Sequence, residues 1–486
     1  MARFYDTMLA EYIKNPGIRG IGLDKLSTKE FNYMMISYDS VTDKAKINFK
    51  DVDLKQASIY SGEDVYITNK LYEKQVLEGT SENSVLTEIE IPLLHVLKEM
   101  EISGVKINRD KLKEIGILLE NEISRLEKNI YEIADTTFNI NSPKQVGDVL
   151  FEKLALPKGK KTKTGYSVGA EVLGELAFEF EIAQMIVDYR HYSKLLSTYI
   201  NGLSNLLDEN DFLHTNYSQT IAATGRLSSI NPNLQNIPNS NGIAGTIREA
   251  FISRFDNGHI MTYDYSQVEV RILAILSNDE NLLGAFENNL DIHHKTAEFL
   301  FPNKVITSNE RKIAKAVNFG VIYGISSFGL SKMIGIPMKD AKVYIDKFFE
   351  SYPKVRIYLD EIIKNCEENK YVETYFGRKR YINGINDLNR IIKSAAEREA
   401  TNMPIQGTSA DIIKLAMIET QVFLEKNKLK SLMIMQVHDE LVFDVFPGEE
   451  EILKKEIPNI MENILKDKTI KLKVDFGIGK NWREAK

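Results

Sequence analysis

The sequence predicts an α+β protein of several domains that carries a β-hairpin near its C-terminus. Three observations lead to this prediction. The chain has 486 residues, enough for about two to four domains with sizeable cores. Helical periodicity dominates residues 87–207. Two short apolar runs, 432–437 and 441–446, flank the polar turn His438-Asp439-Glu440 and are typical of a hairpin.

Composition excludes several classes of protein. Hydrophobic residues make up 43% and charged residues 27%, as is ordinary for a soluble globular protein. No run of eighteen apolar residues exists, so no membrane span is expected, and the N-terminus has no apolar signal region. Cys366 is the only cysteine, which argues against a disulfide framework or a thiolate zinc cluster and favours a cytoplasmic location.

The net charge of −7 argues by itself against a nucleic-acid partner. Net charge is a weak guide when basic residues cluster, however, and they do so at 158–165 and at 377–380. Such runs are most often solvated loops. The alternative is that both basic turns contact a phosphate backbone.

The N-terminal half is predicted in two parts. Residues 1–85 are expected to form a small α/β region that begins with a helix near Asp6 to Tyr12. Thr87-Glu88-Ile89-Glu90 has the form of a capping box and precedes an apolar stripe at Leu93, Leu94, Leu97 and Met100. A long, exposed, charged helix is predicted over 112–133. The basic turn at 158–165 is expected to lie at the tip of a pair of helices.

A polar loop follows at 224–238. Residues 212–217 alternate like a strand, and the segments Thr224–Ser229 and Asn231–Asn236 are dense in amides and hydroxyls. Such groups, with Arg226 among them, suit contacts to base edges or to sugar-phosphate oxygens. The simpler interpretation is a loop that satisfies its own backbone.

Two acidic residues end predicted strands. Residues 260–263 form a short strand that ends at Asp264, just before a helix that begins near Gln267, and Asp439 lies at the tip of the hairpin. If the two strands pair in one sheet, both carboxylates meet, and paired carboxylates suit two hard divalent cations that hold phosphate oxygens. The alternatives are that Asp264 caps the helix and that Asp439 only forms the turn.

A capping box, Thr307-Ser308-Asn309-Glu310, opens the most informative helix. Arg311, Lys315 and Phe319 follow at intervals of four and therefore share one face, with Tyr323 just beyond. Cations suit a polyphosphate and an aromatic ring suits stacking on a base. The alternative is an amphipathic helix with Phe319 in the core. The adjacent His293 and His294 lack the spacing of a helical zinc pair.

The remaining elements are mostly helical. Helices are predicted over 341–366, 391–400 and 449–465, and a last strand over 471–476. Arg398, Asn402 and Gln406 fall four apart, with a break expected near Pro404.

Five segments together are similar to motifs of the DNA polymerase I family (family A). Asp264-Tyr265-Ser266-Gln267-Val268-Glu269-Val270-Arg271 resembles its motif A, the Arg311, Lys315, Phe319, Gly320, Tyr323 and Gly324 pattern its motif B, and Gln436-Val437-His438-Asp439-Glu440 its motif C. Residues 224–238 and 402–408 match two further signatures, and all five occur in the family's order across roughly residues 87–486.

The resemblance implies a right-hand fold with an antiparallel palm sheet, helical fingers and a helical thumb. Residues 87–207 would be the thumb, 208–290 and 391–486 the palm, and 291–390 the fingers. Residues 1–86 would be a truncated 3′–5′ exonuclease-like remnant of α/β type. The implied activity is template-directed addition of deoxynucleotides to a primer 3′-hydroxyl, with release of pyrophosphate, in DNA replication or repair.

The same resemblance implies roles for individual residues. Asp264 and Asp439, with the Tyr265 carbonyl, would bind two Mg²⁺ ions, for which Mn²⁺ would substitute, and Glu440 would support them. Lys315 would also protonate pyrophosphate, and Glu269 would exclude a ribose 2′-hydroxyl. The nucleotide-binding set is Arg311, Lys315, Phe319, Tyr323, His293, Glu269 and Gln267. The set that contacts primer-template DNA is Arg226, Gln406, His438, Arg398, Asn402, Asn233, Gln235 and Asn236.

One departure from the family concerns proofreading. Tyr60-Ser61-Gly62-Glu63-Asp64 resembles the third acidic motif of the exonuclease, but nothing before it supplies the other two. One acidic segment is too little for a two-metal nuclease, so no proofreading is expected. No 5′-nuclease domain, no membrane partner and a monomer are expected as well.

Three other functions remain open at this point. A single-subunit RNA polymerase would share both aspartates, but Glu269 argues against ribonucleotides. A catalytically silent DNA-binding factor is disfavoured by the presence of Asp264, Lys315 and Asp439. A two-metal nuclease would have no use for the cationic helix.

Overall fold

The computed structural model describes residues 4–18, 20–157, 161–162, 165–465 and 471–486. The N-terminal region is helical where it is described, with α1 (Thr7–Lys14), α2 (Leu23–Phe31), α3 (Tyr38–Val41) and α4 (Leu54–Leu77). The expectation of an α/β region here is wrong, because the described part of 1–86 contains no strand. Residues Asp43, Lys44 and Ala45 instead adopt left-handed backbone angles, which break an extended run.

The second region is also mostly helical. A π-helical turn, Val85–Glu90, leads into α5 (Ile91–Ser103), α6 (Arg109–Ala134), α7 (Pro143–Gly147), α8 (Ala170–Ala177), α9 (Glu181–Leu195) and α10 (Gly202–Ser204). The short strands are β1 (Val105–Lys106), β2 (Lys161–Thr162) and β3 (Gly165–Tyr166). The predicted charged helix is confirmed as α6, which buries one apolar face that includes Leu112, Ile115 and Leu119.

The predicted capping box at Thr87 is wrong. The Asn83 side chain, four residues earlier, accepts a hydrogen bond from the Leu86 amide at 3.2 Å. Glu90, which the box would place at a solvent-exposed helix start, is fully buried among cations. The apolar stripe is confirmed, since Leu93, Leu97 and Met100 are buried and Leu94 is half-buried.

Helices also make up most of the C-terminal half. They are α11 (Ile243–Thr246), α12 (Val268–Ser277), α13 (Glu280–Glu287), α14 (Ile292–Leu300), α15 (Ser308–Ile322), α16 (Ser327–Ile334), α17 (Met338–Ser351), α18 (Pro353–Asn369), α19 (Arg390–Lys426) and α20 (Glu450–Glu462). The helical character expected over 341–366 is confirmed, and it is supplied by two helices, α17 and α18, the second of which begins at Pro353. Proline is tolerated there because it occupies the first turn of α18.

The strands of this half are β4 (Phe212–Leu213), β5 (Asn216–Ser218), β6 (Ser228–Ile230), β7 (His259–Tyr265), β8 (Tyr371–Glu373), β9 (Lys379–Tyr381), β10 (Leu432–Val437), β11 (Glu440–Val445) and β12 (Val474–Gly479). Four of them form an antiparallel sheet in the order β10-β11-β7-β12. The alternating run 212–217 is two strands with different partners, because β4 pairs with β1 and β5 pairs with β6.

Helix α19 runs without a break through Pro404, so the expected interruption is wrong. Proline lacks the amide that would bond the carbonyl one turn earlier, and this normally disrupts a helix. Here packing prevails over the local preference, since Met403, Pro404 and Ile405 are all buried. Arg398, Asn402 and Gln406 therefore project from one continuous helix at intervals of four residues.

A buried charge network joins distant parts of the chain. Glu90 accepts hydrogen bonds from Lys414 at 2.6 Å and from Arg378, and Arg378 also donates to Asp411 at 2.8 Å. All four side chains have no solvent exposure, and the two cations balance the two carboxylates. Burial of ions is costly unless they are paired in this way. The network fixes α19 and the start of α5 beside the loop that contains Gly225, since a Cβ at Gly225 would lie 2.8 Å from Arg378 Nε.

Candidate active site

Two acidic strand ends meet at one edge of the central sheet. The antiparallel register of β7 and β11 places Asp264 directly across from Glu440. The Tyr265 amide donates to the Asp439 carbonyl at 3.1 Å. The residue after Asp264 is therefore bonded to the residue before Glu440. The prediction that both strands pair in one sheet and bring their acidic ends together is confirmed.

The hairpin that carries Asp439 forms as predicted. Its turn is His438-Asp439, and His438 adopts a left-handed φ of 57°. The Gln436 side chain donates to the His438 carbonyl, and Ser409 Oγ on α19 donates to Asp439 Oδ1 at 3.3 Å. Asp439 is therefore oriented by a neighbouring helix rather than left free at a turn.

Asp264 does not cap the following helix. Gln267 is the N-cap residue of α12, with a φ of 54°, and no side chain accepts a capping hydrogen bond at the N-terminus of that helix. The Gln267 carbonyl accepts from the amides of Val270 and Arg271, each at 3.1 Å. The Asp264 carboxylate is thus available for another purpose.

The electrostatics of the acidic pair are unusual. Burial, with the neighbouring Glu440, Asp439 and Asp475, raises the pKa of Asp264 to about 6, while Lys486 opposes this change. Burial also raises the pKa of Asp439, against the effect of the nearby Arg226. Crowded carboxylates resist ionisation unless cations join them.

Glu440 differs from the two aspartates. It belongs to β11 rather than to the turn, and it is 2% exposed. Trp482 Nε1 donates to its Oε1 at 2.6 Å, and the Lys486 ammonium pairs with its Oε2. Both carboxylate oxygens of Glu440 are therefore engaged by side chains of this protein.

The donor set fits a hard divalent cation. Among the described residues, no three Asp, Glu, His or Cys side chains are grouped closely enough to enclose an ion. Asp264, Asp439 and Glu440 line a cleft of about 460 Å³ at the sheet edge, and the oxygens of Glu440 are already engaged by Trp482 and Lys486. Mg²⁺ prefers such partial oxygen sets, which substrate phosphates and water complete.

Helix α15 begins with the predicted capping box, in which Thr307 and Glu310 bond reciprocally. Arg311 Nε bonds Asp291 Oδ2 at 2.6 Å, and the Lys315 ammonium lies 5.9 Å from the centre of the Phe319 ring. Lys315 is exposed, and Phe319 is half-buried against the core. The shared face is confirmed, and Phe319 belongs partly to the core, as the alternative interpretation proposed.

His293 is buried behind this face at the start of α14. Its ring centre lies 5.7 Å from that of Phe319, and Asn318 Nδ2 donates to its Nδ1 at 2.9 Å. The proton of the neutral ring therefore lies on Nε2. Burial, with Arg311 and Lys315 nearby, lowers the pKa of His293 to about 4.

Glu269 on α12 is buried between two hydrogen-bond donors. Arg226 Nη2 donates to its Oε1 at 2.7 Å, and the Tyr323 hydroxyl donates to its Oε2 at 2.6 Å. These bonds join the polar loop, the helix after β7 and the end of α15. Arg226, predicted to contact DNA, is thus paired within the protein in this structure.

Three of the other residues predicted to contact DNA line the cleft that holds the acidic pair. Gln235 Nε2 donates to Gln436 Oε1 at 2.9 Å, and the Asn233 side chain accepts from the Gln235 amide at 3.0 Å. Gln235, Asn236 and His438 line the cleft together with Asp264 and Asp439. On α19, Arg398 is exposed, Gln406 is half-buried, and Asn402 Oδ1 is buried with no hydrogen-bond partner in the described structure.

At the second basic turn, the structure contradicts the prediction for Arg378. Arg378 is fully buried in the charge network, Lys379 pairs with Glu373 at 3.3 Å, and Arg380 pairs with Glu399 at 2.6 Å. The expectation that Arg378 meets a phosphate is wrong, because its charge is already neutralised in the core. The first basic turn, 158–165, lies largely outside the described residues.

Three residues of the cleft escaped the sequence analysis. Arg248 and Lys486 line it, and Trp482 bonds Glu440 from behind. Arg248 stacks on Trp482, with its guanidinium 3.8 Å from the ring centre. No spacing rule marks these residues, because tertiary contacts alone bring the C-terminal segment to the sheet edge.

Carboxylates that meet at the edge of an antiparallel sheet, and a cationic aromatic helix joined to the helix that follows one of them, are typical of the right-hand class of nucleotide polymerases. The sequence profile of DNA polymerase family A matches residues 109–484. The chain belongs to DNA polymerase family A. None of the described helices is both long enough and apolar enough to span a membrane.

Individual relatives agree with this assignment. DNA polymerase I of Bacillus subtilis (strain 168) is 44% identical over 99% of this chain and 55% of its own length. DNA polymerase I of Caldicellulosiruptor bescii is 49% identical over 82% of this chain and 47% of its own. The chain thus spans about half the length of these curated relatives.

A solved structure shares the fold. The POL domain of Pol1 from M. smegmatis, in complex with DNA primer-template and dNTP, superposes with a TM-score of 0.89. It is 33% identical, and the match covers 99% of this chain and 82% of that one. The right-hand fold expected from the sequence is confirmed.

Proposed function

We propose that this protein is a template-directed DNA polymerase that adds deoxynucleotides to a primer 3′-hydroxyl and releases pyrophosphate. The observation that carries the proposal is the meeting of Asp264 and Asp439 at one sheet edge. Helix α15, which carries Arg311 and Lys315, is joined to the helix that follows Asp264 by the hydrogen bond from Tyr323 to Glu269. The family assignment supports it, and the similar POL domain is a complex with primer-template and dNTP. Primer-template DNA and deoxynucleoside triphosphates are the proposed partners.

Asp264 and Asp439, with the Tyr265 carbonyl, are the proposed ligands of two Mg²⁺ ions. When bound, such ions lower the pKa of the attacking hydroxyl and stabilise the charge on the leaving pyrophosphate. Burial raises the pKa of both aspartates, and a bound cation would favour their charged forms. Glu440, whose oxygens are held by Trp482 and Lys486, is proposed to support Asp264 from the next strand.

The triphosphate is proposed to lie along α15. Arg311 and Lys315 supply positive charge on one face, and exposed Lys315 is the proposed proton donor to pyrophosphate. His293 stays neutral at pH 7, because its pKa is about 4, and it offers an Nε2 proton. Phe319 packs against the incoming base, and Gln267 adds a neighbouring polar contact.

Sugar selection is assigned to Glu269. Its buried carboxylate, held by Arg226 and Tyr323, occupies space that a 2′-hydroxyl would need. A template base would replace Tyr323 when the nucleotide site closes, and Arg226 would then turn to the primer end. Gln406, His438, Arg398, Asn402, Asn233, Gln235 and Asn236 complete the proposed primer-template contacts.

The domain boundaries expected from the sequence are part of this proposal. Residues 208–290 and 391–486 supply the strands of the central sheet, as a palm would, and 291–390 carries α15, as fingers would. Residues 87–207, with the long α6, form the proposed thumb. A monomer in the cytoplasm that serves replication or repair is proposed as well.

Absence of proofreading also remains a proposal. Glu63, in the segment that resembles an exonuclease motif, lies on α4 and accepts hydrogen bonds from the Tyr33 hydroxyl and the Ile36 amide, each at 2.7 Å. Both of its oxygens therefore have a local structural use. This supports the proposal that residues 1–86 do not act as a nuclease.

The test is primer extension on a primed DNA template with Mg²⁺, with deoxynucleotides or ribonucleotides. We expect extension with deoxynucleotides, a fall of roughly a thousandfold or more in Asp439→Asn, and ribonucleotide use that rises at least about tenfold in Glu269→Ala. Equal use of both sugars by the unaltered protein would overturn the role of Glu269 and favour an RNA polymerase. Intact DNA binding without extension would favour a silent binding factor.

A further inference from the structure

A lysine of this protein already occupies the acidic edge of the sheet. The Lys486 ammonium forms an ion pair with Glu440 Oε2 and lies 3.7 Å from Asp264 Oδ2. The Lys486 side chain is 32% exposed, whereas that of Glu440 is 2% exposed. The ammonium therefore contacts a proposed metal ligand from the solvent side, where an arriving ion would approach.

The segment that carries Lys486 is anchored rather than loose. The Thr262 hydroxyl on β7 donates to the Ala485 carbonyl at 2.5 Å, and the Trp482 amide donates to the Phe251 carbonyl at 3.0 Å. Ala485 is 1% exposed. The backbone next to Lys486 is thus fixed on β7, the strand that carries Asp264, so the ammonium can leave the carboxylates only by rotation of the lysine side chain.

Two glycines of β12 allow the C-terminal segment to lie close against the sheet. A Cβ at Gly477 would lie 2.1 Å from the Ala485 carbonyl oxygen, and one at Gly479 would lie 2.7 Å from the Ala485 amide nitrogen. Any larger residue at these positions would push the C-terminal segment away from the sheet. The two glycines therefore place Lys486 beside Asp264.

We propose that Lys486 is a tethered cation that a divalent ion must displace from Asp264 and Glu440, and that it thereby sets the divalent-ion affinity of the site. The inference rests on the metal site of the proposed function. An ammonium and a divalent ion repel each other strongly at a shared carboxylate. Lysine suits such an exchange, because it is a point charge on a flexible stem.

The experiment measures Mn²⁺ binding by electron paramagnetic resonance, without DNA or nucleotide. We expect Lys486→Met to bind its first Mn²⁺ about three- to tenfold more tightly than the unaltered protein. Lys486→Arg keeps the charge and is expected to stay within about twofold of the unaltered protein. Lys480→Ala removes a charge from the exposed part of the same segment and is the matched control, with no expected change.

Two outcomes for Lys486→Met would overturn the inference. Unchanged affinity would show that the ammonium does not compete, and weaker binding would show that it holds Glu440 in place for the ion. Trp482, the only tryptophan of the sequence, bonds Glu440 directly, so its emission shows whether each variant retains the folded cleft.

A second pair of variants separates this inference from the metal assignment. Asp264→Asn and Asp439→Asn are expected to weaken Mn²⁺ binding by more than about tenfold. If neither variant changes binding, the ion lies elsewhere, and it is the proposed metal site that fails. If both weaken binding while Lys486→Met does not strengthen it, the metal site stands and the role of Lys486 fails.

Discussion

His293 lies buried behind the cationic face of α15, and burial decides its protonation state. Its only ring partner in the hydrogen bonds described above is Asn318, which donates to Nδ1. A group whose pKa falls from 6.5 to about 4 on folding takes up a proton more readily in the unfolded chain. Stability from this residue is therefore complete above pH 6.5 and is lost as the pH falls towards 4.

The lowered pKa of His293 predicts a loss of stability at acidic pH that the variant His293→Gln should lack. Between pH 7.5 and pH 5, His293 is expected to reduce the free energy of unfolding by about 2 kcal/mol. Urea denaturation at both pH values measures the loss in the unaltered protein and in His293→Gln. The variant should lose about 2 kcal/mol less over this interval; an equal loss in both proteins would contradict the assignment.

At the scale of elements, the charge network of Glu90, Arg378, Asp411 and Lys414 joins α5, α19 and the β8–β9 turn. Glu90 also accepts from Gln219 Nε2, so one carboxylate bonds both cations of the network and orients the amide of a residue that precedes the polar loop. Burial lowers the pKa of Lys414, although Glu90 opposes this effect. The four charges balance only when these separate elements are packed together, so the network holds the elements to one another.

Removal of one charge from this network should be costly. Glu90→Gln leaves two buried cations facing only Asp411, and we expect the free energy of unfolding to fall by about 3–5 kcal/mol. Glu88→Gln changes an exposed neighbour and should be neutral within about 0.5 kcal/mol. Chemical denaturation compares the two. Addition of Lys414→Met to Glu90→Gln should restore part of the loss, since the charges then balance; a further fall would contradict this explanation.

The close packing of β12 against the C-terminal segment predicts that a larger residue at Gly477 destabilises the protein. Gly477→Ala places a methyl group 2.1 Å from the Ala485 carbonyl oxygen, so strand and segment must separate. We expect a loss of about 1–3 kcal/mol in the free energy of unfolding and increased exposure of Trp482. Gly174→Ala on α8 meets no atom within 4 Å and should leave stability unchanged or slightly raised. Thermal unfolding with tryptophan emission distinguishes the two variants.

At the scale of the whole molecule, the N-terminal helices pack into the rest of the protein. Tyr12 on α1 is 1% exposed, and its hydroxyl donates to the Ala222 carbonyl at 2.6 Å. Helix α1 also packs on Val85, Leu86 and Ile89 in one apolar cluster. Residues 1–86 therefore support the loop that carries Arg226, whatever their resemblance to a nuclease.

The bond between Tyr12 and the loop predicts that loss of this one hydroxyl loosens the loop. Tyr12→Phe should lower the free energy of unfolding by about 1–2 kcal/mol and increase hydrogen exchange of the amides at 219–226. Tyr5→Phe removes a hydroxyl that bonds Gln75 inside the N-terminal region and is the matched control. Hydrogen exchange followed by mass spectrometry measures both. Equal protection of 219–226 in the two variants would show that the N-terminal region does not support the loop.

The sequence by itself determined the local features of this protein. Capping, periodicity and turn chemistry act over a few residues. This is why the hairpin at His438-Asp439, the strand that carries Asp264 near its end and the shared face of Arg311, Lys315 and Phe319 were predictable. The family motifs, which rest on these same segments, led to the right-hand fold.

Only the tertiary structure decided which charges are available at the surface and which are neutralised inside. Arg378 was expected at a phosphate and lies in the core, Thr87 and Glu90 form no capping box, and Pro404 lies within an unbroken helix. Lys486, more than 200 residues from Asp264, reaches the acidic edge with no motif to mark it. Burial and long-range pairing depend on packing between distant segments, and these energies exceed the local preferences that a sequence pattern records.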